Sequence, residues 1–401
     1  MTHYRNVLVV LFTAVFFIHL PDYLNLRVLS LPPLVWVFAL FGLAAPLFIQ
    51  TITKSDFVKS PVIIWCFGYL WVSLAWFFLS SQSENVWQVM RWRTYTVIVM
   101  VGFLMLLWDS HAIRVARYTV LGCVLFGVVV NVYELFFPMT FSLVAGRSAG
   151  LYLNPNMDGE ALVMGMIVSL TLFSARWRGA FMLAVGIGII LTVSRSNILL
   201  WIIASFSFIF LQKVQIKNLL QTVTWALVIV LVAMVPMWDQ ILGAIGTINK
   251  DVTSRFDWFL DPTDVVDDSS AERKLLAEEA WTRIADRPLL GGGTGAAYLS
   301  TEFIGQHNQY LVHMEDYGLL GAMTVPLLML ALAWKAQGEA KSLALIFSEV
   351  VILEGFFSHT ILDFPARLVI IALIAAFVRL SRTSSPQYVG RYSGGRVSSM
   401  S

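Results

Sequence analysis

His307 stands where a long polar stretch gives way to an apolar one, in the run His–Asn–Gln–Tyr–Leu–Val–His–Met–Glu–Asp–Tyr–Gly–Leu–Leu–Gly321. An imidazole titrates near neutrality, so at a water boundary it can serve as a general base. At helical spacing Leu311, Met314, Gly318 and Gly321 share its face. His307 is therefore expected to cap one continuous helix whose two glycines admit a close neighbour. An interfacial histidine with no task is the plain alternative. Glu315 and Asp316 would lie roughly 12–14 Å below it at 1.5 Å per residue, too deep for contact.

Three arginines could hold an anion. Arg195 lies in the short turn Leu191–Thr–Val–Ser–Arg–Ser–Asn197, and Arg147 in Ala145–Gly–Arg–Ser–Ala–Gly–Leu–Tyr–Leu–Asn–Pro–Asn156. Arg273 opens an amphipathic stretch after Ser269, Ser270 and Glu272. A guanidinium is always charged and forks onto phosphate or carboxylate. The alternatives are a turn arginine paired with an acid and a solvated surface arginine. Asn156 and Asp158 can cap the helix that follows them.

Other signals are weaker. Pro288–Leu–Leu–Gly–Gly–Gly–Thr–Gly295 has neither a preceding strand nor a Walker lysine, so it resembles a phosphate loop only superficially. No second His or Cys stands at ligand spacing from His307 in its loop, which disfavours zinc, and no metal or other cofactor is expected. Glu349 and Glu354 fall inside an apolar run, where an ionisable group either marks function or pairs with a buried arginine.

The elements that must position these groups are transmembrane helices. Of 401 residues, 58% are hydrophobic and 13% charged, against roughly 25% charged in soluble domains. A span needs roughly 20 apolar residues. The apolar runs predict about twelve spans, near 6–20, 29–50, 61–80, 92–108, 116–137, 159–174, 178–193, 196–212, 218–237, 308–333, 343–359 and 362–380. The first lacks a small-x-small cleavage site and reads as an uncleaved span. The Gly- and Ser-containing runs 159–174 and 178–193 suit close helix packing.

The fold expected is an all-α polytopic membrane protein. Helices one to nine occupy 1–237, a large loop 238–307, helices ten to twelve 308–380, and a disordered tail 381–401. The loop holds Asp251, Asp257, Asp261, Asp264, Asp267 and Asp268. It then reads as a helix over Arg273–Ile284, with Leu276, Ala277, Ala280, Trp281 and Ile284 on one face.

Lysines and arginines such as Arg5, Lys54, Lys59, Arg114, Lys213 and Arg379 gather on one side, which should be cytoplasmic and hold both termini. The opposite face carries Arg27, Arg91, Arg93, Arg147, Arg195 and Arg367, and no lysine outside the long loop. Arg27, Arg91 and Arg93 flank aromatic helix ends and read as snorkelling anchors. A net charge of +2 argues against nucleic acid. Cys66 and Cys123 lie in apolar runs and make no disulfide framework.

Taken together, these residues resemble the bacterial O-antigen ligases. His307–Asn308 followed by Gly318–Leu–Leu–Gly321 resembles that family's histidine signature. The likeness extends to Thr192-x-Ser194–Arg195, to Asn154–Pro–Asn156, and to Arg273 with Pro288–Gly295, covering roughly 145–325. The resemblance implies a membrane glycosyltransferase of the C type in the bacterial inner membrane. It would move O-antigen from undecaprenyl diphosphate to the outer-core sugar of lipid A–core at the periplasmic face, without nucleotide sugar or metal.

His307 would then be the base, and Arg195 and Arg273 the diphosphate clamps. Arg147, Asn156, Asn308 and Tyr310 would bind substrate. An O-antigen polymerase or a protein O-oligosaccharyltransferase of the same superfamily would use the same chemistry. The Arg-x10-Gly pattern of polymerases is missing, because Asp158, Phe206 and Ile284 answer the three arginines. A transporter should show two similar halves, and this chain does not.

Overall fold

A computed structural model describes residues 2–224, 268–298 and 307–383. Residues 225–237 of the ninth expected span, the acids Asp251–Asp267 and the tail beyond 383 lie outside the described residues. Those described are helical, with no strand among them. The helices are α1 Thr2–Phe17, α2 Leu20–Leu24, α3 Pro33–Ile52, α4 Ser55–Val58, α5 Pro61–Phe77, α6 Glu84–Leu106 and α7 Ser110–Phe136. Then come α8 Pro155–Ser169, α9 Ala175–Leu191, α10 Arg195–Phe210, α11 Asp268–Asp286, α12 Gln309–Tyr317, α13 Thr324–Ala333, α14 Gly338–Glu354 and α15 Pro365–Thr383.

Among the described residues three helices, α3, α6 and α7, are long and apolar enough to cross a membrane. A fourth joins them if α1 and Leu20–Leu29, bent by 62°, count as one span. Apolar side chains such as Trp71 (72% exposed) and Phe210 (85%) point outward. Soluble monomers rarely show so many exposed apolar groups, whereas lipid accepts them.

Glycines set the close helix contacts. A Cβ on Gly165 would strike Val124, and one on Gly186 would strike Trp201, so α8 and α9 pack as the short Gly-containing runs suggested. The bundle that carries the site is α8, α10, α14 and α15, where α8 touches the other three and α14 touches both α10 and α15.

The run expected as one helix over 308–333 is broken. Helix α12 stops at Gly318, whose φ of 69° is open to glycine. A short 3-10 segment, Leu319–Met323, leads into α13. The reason is long-range: Gly292 and Gly293 N–H donate to the carbonyls of Glu315 (2.7 Å) and Asp316 (3.1 Å), and Leu319 N–H to Pro288 O (2.7 Å). Segment 288–293 takes over backbone partners that a continuing helix would have used. Gly318 and Gly321 therefore admit no neighbouring helix along a shared stripe. A Cβ on Gly318 would meet the backbone of Leu289, and one on Gly321 the carbonyl of His313.

Helix α11 packs Ala280 and Ile284 on Leu311 and Met314 of α12. Trp281, expected on that face, is 53% exposed instead.

Arg93 is no snorkelling anchor. It is 2% exposed, donates to Asp316 Oδ2 at 3.2 Å and to Tyr69 Oη at 2.5 Å, and lies 3.3 Å from His313 Nδ1. Two helices besides its own, α5 and α12, constrain that guanidinium, and such a buried pair is held by geometry rather than by water. Arg91, by contrast, is exposed and pairs with Glu84 at 2.6 Å.

Candidate functional site

The C-terminal end of α7 organises the first wall. Glu134 accepts from the backbone N–H of Phe141 (2.9 Å), Ser142 (2.6 Å), Ala149 (2.8 Å) and Gly150 (3.0 Å), which ties down the loop after α7. That loop delivers Arg147, whose Nε donates to Thr192 O and whose other guanidinium nitrogen donates to Asn156 Oδ1, both at 2.8 Å. Arg147 thereby joins the loop, the α9–α10 turn and the start of α8.

Asn154, not Asn156 or Asp158, caps α8: its Oδ1 accepts from Asn156 N–H at 2.9 Å. Asp158 is fully buried and accepts from Asn131 at 2.5 Å. With Arg147 on its side chain, Asn156 is turned to the wall of the pocket.

The second wall is the start of α10. Asn197 Nδ2 donates to Asn156 O (2.7 Å) and Ser194 Oγ (3.0 Å). This approach requires Gly159, because a Cβ there would sit 2.6 Å from Asn197 Nδ2. Ser196 and Asn197 line the pocket, and the half-buried Arg195 immediately precedes them.

The third wall comes from α12. Asn308 is its N-cap, accepting from Tyr310 N–H (3.0 Å) and Leu311 N–H (3.2 Å), so His307 sits just before the helix rather than in it. Gln309 fixes this end to the segment after α14, donating N–H to Gly355 O (2.8 Å) and accepting from Ile361 N–H (2.9 Å). The Tyr310 hydroxyl donates to Ile352 O at 2.6 Å. Asn308 and Tyr310 thus spend their polar groups on holding α12.

The result is a pocket of about 100 Å3 lined by Asn154, Asn156, Glu160, Ser196, Asn197, Arg273, His307, Glu354, Ser358 and His359, among others. Three helix N-termini, those of α8, α10 and α12, converge on it. Each presents the positive end of a helix dipole, which favours an anion. His307, Arg273 and Asn156 meet here. Arg195 and Arg147 stand behind the lining, while Asn308 and Tyr310 support it.

Sequence reasoning missed His359, Gln309 and Glu134. His359 meets His307 ring to ring at 5.3 Å. Burial, with the neighbouring His307 and Arg273, pushes its imidazole down to about 4, so it is uncharged at neutral pH. The floor holds Arg367, fully buried between Glu160 and Glu354, with Glu354 Oε1 at 2.8 Å. Glu354 therefore does pair with a buried arginine. Glu349 instead accepts from Ser207 Oγ at 2.7 Å.

A family model described as O-antigen ligase matches residues 179–325. The match includes Arg195, Arg273 and His307, and stops short of Arg147 and Asn156 on one side and Glu354 and His359 on the other. No curated protein matched the chain. Over those residues, fewer than half of the chain, the protein is similar to the O-antigen ligase family.

Proposed function

We propose that this protein is an O-antigen ligase. It transfers O-antigen polysaccharide from undecaprenyl diphosphate to the outer-core sugar of lipid A–core. The reaction takes place at the periplasmic face of the bacterial inner membrane, on a scaffold of about twelve spans with one large periplasmic loop. The observation that carries this reading is the convergence of three helix N-termini, Arg273 and His307 on one pocket.

Each part has a task in that reaction. His307 takes the proton of the acceptor hydroxyl as its oxygen attacks the anomeric carbon of the donor. The bond from that carbon to the diphosphate oxygen breaks, its electron pair stays on the phosphate, and the configuration inverts. Charge growing on the leaving diphosphate meets Arg273, Arg195 and the helix N-termini, which are fixed beforehand and need no reorganisation. These fixed positive groups do the work a divalent cation would otherwise do, so the reading is metal-independent. Arg147 acts by holding Asn156, and Asn308 and Tyr310 act by holding α12 behind His307.

Expression in cells that make both substrates but lack their own ligase should restore a polysaccharide ladder on lipid A–core. The purified protein in vesicles should do the same in the presence of chelator. Longer lipid-linked polymer without transfer would mark a polymerase, and sugar on a pilin a protein acceptor. Chelator-sensitive transfer would remove the guanidinium mechanism.

A further inference from the structure

Two polar groups in the pocket wall have no task in the chemistry above. Glu354 gives Oε1 to Arg367, whereas its Oε2 is buried and meets no donor among the described residues. A buried acceptor left unmade costs about 1–3 kcal/mol, a cost that a ligand hydroxyl removes by donating to it. His359 packs its ring on that of His307, and neither of its nitrogens makes a hydrogen bond among the described residues. Both residues line the same cavity as His307 and Arg273.

We propose that Glu354 and His359 form the hydroxyl-binding subsite for the acceptor sugar, opposite the side that takes the diphosphate. Glu354 Oε2 accepts from one hydroxyl and the His359 imidazole binds a second, leaving a third presented to His307. This rests on the ligase reading, which supplies the sugar acceptor.

Charge divides the pocket in two. The N-termini of α8 and α10, with Arg273, suit an anion. At the other end Glu160 and Glu354 enclose the one buried guanidinium, Arg367, so this side offers carboxyl oxygens to a hydroxyl and no open guanidinium to a diphosphate. His359 stays uncharged through the neutral range, so it keeps both an N–H and a lone pair for a neutral polyol. Gln309 sets the geometry, because it anchors the segment carrying His359 to the helix that follows His307.

The test is steady-state transfer by the full chain in vesicles, varying lipid A–core at saturating donor and then the reverse. Glu354→Gln and His359→Phe should each raise the acceptor KM about tenfold or more, with the donor KM within about twofold. His359→Asn, which keeps hydrogen-bonding groups, should recover most of the loss. A panel of monodeoxy acceptors should include one that weakens the unaltered protein but adds nothing to the His359→Phe defect. Equal rises in both KM values, or a fall in kcat alone, would overturn the subsite while leaving the ligase reading in place. If Glu354→Gln does not fold, the His359 series still decides. Absence of transfer by the unaltered protein would remove the ligase reading, and the subsite with it.

Discussion

The rings of His359 and His307 meet edge to face, with centroids 5.3 Å apart and planes inclined by 67°. The contact joins the residue before α12 to the segment after α14, across more than fifty positions of sequence. Gln309 is the staple that makes it, through one backbone and one side-chain hydrogen bond.

That contact has a pH signature. The His359 pKa falls from an ordinary 6.5 to about 4 in the folded protein, through burial and then the nearby His307 and Arg273. Between those values the unfolded chain binds the proton and the folded chain does not, so stability rises with pH. Lowering the pH from 6.5 towards 4 should therefore lower Tm, and His359→Gln should flatten that slope. An unchanged slope in the variant would show that His359 is not held uncharged.

Charge shape should matter at the diphosphate. Arg195→Lys and Arg273→Lys keep the charge but lose the planar fork, and each should cut transfer at least about tenfold, or about 1.4 kcal/mol. His307→Ala should cost more, on the order of 10²–10⁴ in rate, while donor binding survives. Rates and donor affinities of properly inserted variants decide this. Near-normal ligation by His307→Ala would leave the motif as a helix-capping element of α12.

The buried Arg93–Asp316 pair should hold α12 in place. Arg93→Met strands a carboxylate that is fully buried, and should cost about 3–5 kcal/mol, read as thermal unfolding in detergent. Joint replacement with Asp316→Leu should recover most of that loss. A double variant as weak as the single one would mean that the pair does more than balance charge.

Gly159 should be intolerant of a single methyl. With a Cβ 2.6 Å from Asn197 Nδ2, Gly159→Ala must push α10 from α8 or break the bond from Asn197 to Asn156 O. Overpacking of this kind costs about 1–3 kcal/mol. Transfer should drop by more than stability does, because the shift acts on two walls of the pocket. Full activity in Gly159→Ala would show that the α8–α10 approach is not needed.

Orientation is open to a direct measurement. Cysteines placed near Asp264 should react with an impermeant reagent from the periplasm, whereas cysteines in 384–401 should not. The opposite pattern would put the pocket in the wrong compartment.

Composition alone determined the class of this molecule, because the free energy of an apolar helix depends on its own residues and on lipid. Helix starts were legible to within a few residues: Asn156 and Asp158 were read for a cap that Asn154 supplies, and His307 for one that Asn308 supplies. His307 could be named as a candidate because it sits at an edge between polar and apolar sequence, and Arg273 because of the resemblance to the ligase family.

Partner choice was not legible, for a physical reason. A helix is built from bonds four residues apart, whereas an ion pair or a helix break depends on which distant segment arrives. Gly318 looked like a packing residue until Pro288–Gly293 supplied backbone partners to Glu315, Asp316 and Leu319 around it. Arg93 looked like an interfacial anchor until Asp316 and His313 closed around it. Asn156 and Asp158 each looked able to cap α8, but Arg147, brought by the Glu134 loop, takes Asn156, Asn131 takes Asp158, and Asn154 is the cap. His359 carries no local pattern at all, and Glu354 showed only as an ionisable group in an apolar run. They became part of a site because Gln309 and Arg367 hold two chain ends against it, and that is tertiary structure acting over distances no local spacing records.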